Sequence, residues 1–129
     1  MDDLQASLSD YRMKKSQADL NAAKILLKNN LYSQSINRSY YCIFHAARAL
    51  LAFDKFDSKK HSGIISFFNE HYIKTNLIEK EYSTILMSAE RIRNESDYDD
   101  MFIATEEQAM QQLKKAEKFS IRIKEFLSR

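Results

Sequence analysis

SYYCIFHAARALL, residues Ser39–Leu51, is the most apolar stretch of the chain, and its reading decides the architecture. On a helical wheel Ile36, Tyr40, Ile43, Phe44, Ala47, Leu50 and Leu51 fall on one stripe. The other side carries Arg38, Tyr41, Cys42, His45, Ala49 and Ala52, mostly aromatic or small rather than charged. A helix that is apolar nearly all round is buried on two sides. The stretch is therefore expected to be the central helix, its second face set against another chain or lining a groove.

Helical patterns continue on both sides of it. Upstream, Tyr11, Ala18, Ala22, Ile25 and Leu26 give an apolar stripe over 9–29, and Asn29-Asn30 suits a helix stop. A central helix over 33–53 follows so closely that the two must be antiparallel neighbours. Downstream, a polar link at 54–60 leads to a short helix over 60–72. Asn76 with Glu79 reads as a capping box opening a fourth helix, which should fray within Asn94–Asp100. Thr105 with Gln108 forms a second capping box, and Ala109, Leu113, Ala116, Phe119, Ile123, Phe126 and Leu127 line the last helix.

Composition agrees with this reading. One glycine and no proline leave little material for hairpins or phosphate-cradling glycine loops, while the chain is rich in helix formers. An apolar content of 44% over 129 residues is enough for one core, so a single domain over 1–129 is expected. The expected fold is all-α: an antiparallel bundle of four long helices plus one short helix.

A net charge of +2 does not by itself imply a nucleic-acid partner. The lone cysteine excludes an internal disulfide and suits a reducing cytoplasm. No signal-peptide pattern or membrane-length apolar run is present. No Ser-His-Asp, P-loop or Rossmann pattern occurs. Cys42 and His45 make at most half a metal site, so neither metal nor cofactor is expected.

Two stretches together carry a family resemblance. They are NRSYYCIFHAARALL (Asn37–Leu51) followed by KKHSGII (Lys59–Ile65), and RNESDYDD (Arg93–Asp100) between the last two long helices. The chain resembles the HEPN superfamily, the helical "higher eukaryotes and prokaryotes nucleotide-binding" domains. Within it, the chain is similar to a small stand-alone bacterial branch with a Tyr-Tyr pair in the second helix and Arg-x-x-x-Asp-Tyr after the fourth. The resemblance implies a helical bundle that forms homodimers, often paired with a minimal nucleotidyltransferase in a toxin–antitoxin system. Many members resemble metal-independent ribonucleases whose arginine and a histidine, four to six residues apart, meet in a dimer groove. Arg93 matches the arginine, but Tyr98 stands where the histidine would, and no histidine follows His71. The functional expectation is a toxin–antitoxin-like component binding RNA or nucleotide phosphates, a ribonuclease with a degenerate motif. The alternative is a non-catalytic module that binds nucleotide or docks a nucleotidyltransferase.

The candidate residues follow, each with its structural alternative. Arg93 either grips a phosphate with paired N–H donors or simply pairs with Asp97. Tyr98 either orients a phosphate, or is the tyrosine that a nucleotidyltransferase modifies in some paired systems, or plugs the bundle end. His45 is the substitute base, since imidazole titrates near neutral pH, or a packing residue. Arg38 and Tyr41 share its face and would wall the groove. Lys59, Lys60 and His61 bring basic side chains to the positive end of the short helix, favouring an anion there, or else the lysines are merely solvated.

Overall fold

The computed structural model describes residues 2–129, which form five α-helices and, among the described residues, no strand. They are α1 (Asp3–Lys28), α2 (Tyr32–Leu51), α3 (His61–Phe68), α4 (Lys80–Tyr98) and α5 (Glu106–Leu127). α2 is the centre of the bundle, packed against α1, α4 and α5. Its apolar stripe closes the core: Tyr40, Ile43, Leu50 and Leu51 meet Ile64 and Phe68 of α3, Leu86 of α4 and Phe119 and Ile123 of α5. No helix among the described residues is long and apolar enough to cross a membrane.

Part of the second face of α2 is covered from within the chain. Cys42, Ala46 and Ala49 are fully buried, their small side chains allowing neighbouring backbones to approach. Ser16 on α1 donates its hydroxyl to the Cys42 carbonyl at 2.6 Å, and Ser35 on α2 donates to the Ala23 carbonyl at 2.8 Å. The Cys42 thiol lies 3.8 Å from the Ala116 carbonyl of α5, and burial pushes its pKa up to about 11. It is a packing group.

Helix ends depart from the sequence-based expectation in two places, each for a visible reason. α1 starts at Asp3 rather than near Ser9, because Asp2 and Gln5 make a reciprocal capping box. The Asn76–Glu79 box does not form: Asn76 adopts a left-handed turn, φ 63°, and Arg122 takes the Glu79 carboxylate at 2.6 and 3.2 Å. α4 ends at Tyr98, within the expected stretch Asn94–Asp100. The i,i+4 pairs Arg91–Glu95 and Arg93–Asp97 support that last stretch, and Asn37 of α2 donates to Asp97 at 2.8 Å. The Thr105–Gln108 box forms as expected, and Asn30 (φ 63°) makes the turn after α1.

The short helix is split. α3 ends at Phe68 and continues as a wider π turn, Asn69–Ile73. Its start is fixed by the connection before it. The carboxylate of Asp57 accepts from Arg48 at 2.8 and 3.3 Å and from Arg12 at 3.2 Å, and Ser58 Oγ accepts from the Lys60 amide at 3.2 Å. Gly63, the only glycine, packs directly on the Ser58 side chain. A Cβ there would stand 2.8 Å from the Ser58 Cβ. Gly63→Ala is therefore expected to lower the melting temperature despite the ~1 kcal/mol that alanine adds to a helix. Combining it with Ser58→Gly should recover most of the loss.

Candidate functional site

The first turn of α3, the middle of α2 and the last third of α4 converge on one cluster: His61, Tyr40, Tyr41 and Arg93. Arg93 is 8% exposed, a charged group almost wholly withdrawn from water. Its guanidinium lies 4.7 Å from the Tyr40 ring centroid and 5.6 Å from that of Tyr41, cation–π contacts to two faces. Nη2 lies 3.3 Å from His61 Nδ1, and Nη1 lies 3.8 Å from Asp97. Nε is buried with no partner among the described residues. A buried cation with a donor left over and its carboxylate at long range is costly for folding alone.

The tyrosines and the histidine hold each other in place. The Tyr40 hydroxyl lies 2.8 Å from His61 Nδ1, and the Phe44 ring packs on the imidazole at 4.1 Å between centroids. Burial, with Glu90 nearby, raises the Tyr40 pKa, so its phenol keeps its proton. Burial first, and then the charge of Arg93, lowers the pKa of His61. Beside the imidazole opens a cleft of about 540 Å³ lined by Phe44, Arg48, Asp57, Ser58, Lys59 and His61.

The residues singled out from the sequence separate into two groups. Arg93, Tyr41, Asp97 and His61 come together. Lys59 lines the adjoining cleft, whereas Lys60 is the exposed residue just before α3. The three basic residues therefore do not share a first helical turn; only His61 lies within α3. Tyr98 is 75% exposed, and no hydrogen bond or ring contact joins it to the cluster among the described residues.

His45 and Arg38 bind to α1 instead. Arg38 Nη1 donates to Asp19 at 3.1 Å, and its guanidinium lies 4.8 Å from the Tyr41 ring. His45 Nε2 is 3.7 Å from Asp19, its side chain only 12% exposed and its Nδ1 buried without a partner. Burial lowers the His45 pKa to about 4, and the charges of Lys15, Arg48, Arg38 and Arg12 push the same way. Both side chains thus find a partner in Asp19 of their own chain. Tyr40 and Phe44, assigned by periodicity to the core, are the site residues that the sequence reading missed.

A profile of the HEPN domain matches residues 9–126. The chain belongs to the HEPN domain family. It is 38% identical over 112 residues to "Putative toxin MJ0605" of Methanocaldococcus jannaschii, covering 87% of this chain and 83% of that protein. It is 32% identical over 110 residues to a UPF0332 protein of Thermotoga maritima, covering 85% and 83%. The crystal structure of ST0689, an archaeal HEPN homologue, superposes with a TM-score of 0.64 at 21% identity, covering 90% of this chain and 94% of that one. The last likeness shows the fold. On that HEPN fold, the Tyr-Tyr pair of α2 and the arginine of α4 are the groups that meet at the buried cluster.

Proposed function

We propose that this HEPN chain is one component of a toxin–antitoxin-like pair and binds a phosphate of RNA or nucleotide at the Arg93 cluster. The observation that carries the reading is Arg93 itself: a guanidinium 8% exposed, stacked on two tyrosines, with Nε unpartnered. A phosphate oxygen would satisfy the leftover donor and neutralise the buried charge. The cleft beside His61, with Lys59 and Arg48 on its walls, leaves room for the rest of the ligand. Two relatives bear the name "Putative toxin", which favours the paired-system setting. Tyr98, Met101 and Ile103, large exposed side chains close together in the chain, would suit a second copy of the chain or a nucleotidyltransferase partner.

If the chain cleaves RNA, the chemistry is attack of the ribose 2′-hydroxyl on the adjacent phosphate, without metal, with Arg93 steadying the charge that develops. A second reading, a non-catalytic binding module, is favoured by one observation. His61 Nδ1 is already engaged by Tyr40 and Arg93, and His45 is engaged with Asp19, so no histidine stands free beside the arginine. A ribonuclease assay with chelator present separates the two. Cleavage lost in Arg93→Ala supports the enzyme. No cleavage, with AMP or RNA binding that depends on Arg93, supports the module. Cleavage and binding both unchanged in Arg93→Ala would sink the phosphate role altogether.

A further inference from the structure

Two donors converge on one lone pair of His61. The Tyr40 hydroxyl is 2.8 Å and Arg93 Nη2 3.3 Å from Nδ1. A guanidinium has only donors, so Nδ1 must be the acceptor, and the ring's single proton sits on Nε2. Protonating Nδ1 in this arrangement would set one N–H against another. The charged and titratable groups around the ring come from every element that packs on it. Arg93 and Glu90 lie on α4, Tyr40, Tyr41 and Arg48 on α2, and Asp57, Lys59 and Lys60 in the connection before α3. Burial first, and then Arg93 and Arg48, lower the pKa of the ring, and Glu90 opposes them.

Resting on the reading of Arg93 as a phosphate-binding group, we propose that His61 is the second ligand of that phosphate. The phosphate binds together with one proton, which His61 takes up at Nδ1. A phosphate oxygen at Nη2 and Nε draws the guanidinium's donors away from the imidazole. The bound anion then favours the charged ring. The proton arrives from solvent at Nδ1, and the Tyr40 hydroxyl, which can donate or accept, turns to accept from it. Nε2–H donates to the phosphate. No bond of the ligand is made or broken, and the site gains one positive charge only when an anion is present. An empty site therefore avoids burying two adjacent cations, and a bound phosphate meets both.

The test is calorimetric titration of the full chain with AMP and, separately, with a 2′-O-methyl RNA dinucleotide, in buffers of different ionisation enthalpy. Uptake of up to one proton is expected, with affinity rising as much as about tenfold for each unit of pH lowered near neutrality. His61→Gln should bind more weakly, with no proton uptake and a flat pH dependence. His71→Gln, an exposed histidine outside the cluster, should behave as the unaltered chain. Uptake with AMP alone assigns the site to a terminal phosphate, with the dinucleotide alone to an internal one; either supports the proposal. Binding that needs Arg93 but takes up no proton overturns the role of His61 and leaves the phosphate reading standing. Binding indifferent to Arg93→Met overturns both. Should His61→Gln fail to fold, ring nitrogen shifts of the unaltered protein decide. An Nε2–H tautomer that becomes doubly protonated on adding phosphate supports the proposal, and a ring unchanged by phosphate overturns it.

Discussion

Arg93→Met is expected to weaken binding of AMP and short RNA by about 10- to 100-fold while leaving the melting temperature unchanged or higher. The binding loss follows from removing the guanidinium proposed to hold the phosphate, whose buried Nε has no partner among the described residues. The magnitude is that of charge-assisted hydrogen bonds, about 1.5–3 kcal/mol. The stability half of the expectation separates function from structure. A guanidinium 8% exposed, with one neutral partner at 3.3 Å and a carboxylate only at 3.8 Å, recovers little of what it loses by leaving water. Methionine has a similar length, is apolar and can lie against the same two rings. A purely structural arginine would show the opposite pattern, with melting temperature falling and phosphate affinity unaffected. Thermal denaturation and a binding titration on the same two proteins distinguish these outcomes.

The second large effect is on acid stability, and it comes from His45. In the unfolded chain this imidazole takes its proton near its ordinary pKa of 6.5, but in the folded chain only near about 4. Between those values the unfolded state binds more protons, so stability falls as pH falls through this window. After allowance for water at the exposed edge of the ring, the loss is about 1–3 kcal/mol. Asp19, whose pKa burial raises, acts in the opposite direction, since its folded form takes a proton more readily than its unfolded one. His61, lowered like His45, acts in the same direction as His45. His45→Gln should therefore flatten the dependence of the urea midpoint on pH over this range without abolishing it. An unchanged slope in His45→Gln would show that His45 is not the group responsible.

Much of the architecture was legible because periodicity and composition pointed the same way. The stripe from Ile36 to Leu51 is the core face of α2, and the Thr105–Gln108 box opens α5. The errors came where a polar side chain had two possible uses. Glu79 looked like a cap but serves Arg122 across the bundle, a long-range pairing that local sequence does not reveal. Asp97 lies in the stretch where α4 ends, as expected, but its tie to Asn37 of α2 is again a long-range pairing. Asp2 and Gln5 carried the spacing of a capping box, which the weak apolar pattern of early α1 obscured.

The candidate site was half legible. Arg93 and His61 lie 32 positions apart, and only the fold shows that they touch. Tyr40 was assigned to the core because it lies on the core stripe, and it is indeed 1% exposed. Yet its ring is also the floor under the arginine and its hydroxyl the partner of the histidine. Helical phase sorts residues into inside and outside. It does not mark a buried residue that faces another buried polar group. The adjacent Tyr40-Tyr41 pair was the one signal available, since two consecutive aromatics on a buried helix leave one ring at the edge of the core.

The most direct measurement is a two-dimensional NMR titration of nitrogen-labelled protein with AMP, following the Arg93 Nε–H signal and the His61 ring. Saturable shifts at both, with little change at exposed lysines such as Lys14 and Lys80, are the result expected of a built phosphate site. Shifts confined to exposed lysines, with Arg93 and His61 unmoved at saturating ligand, would contradict it.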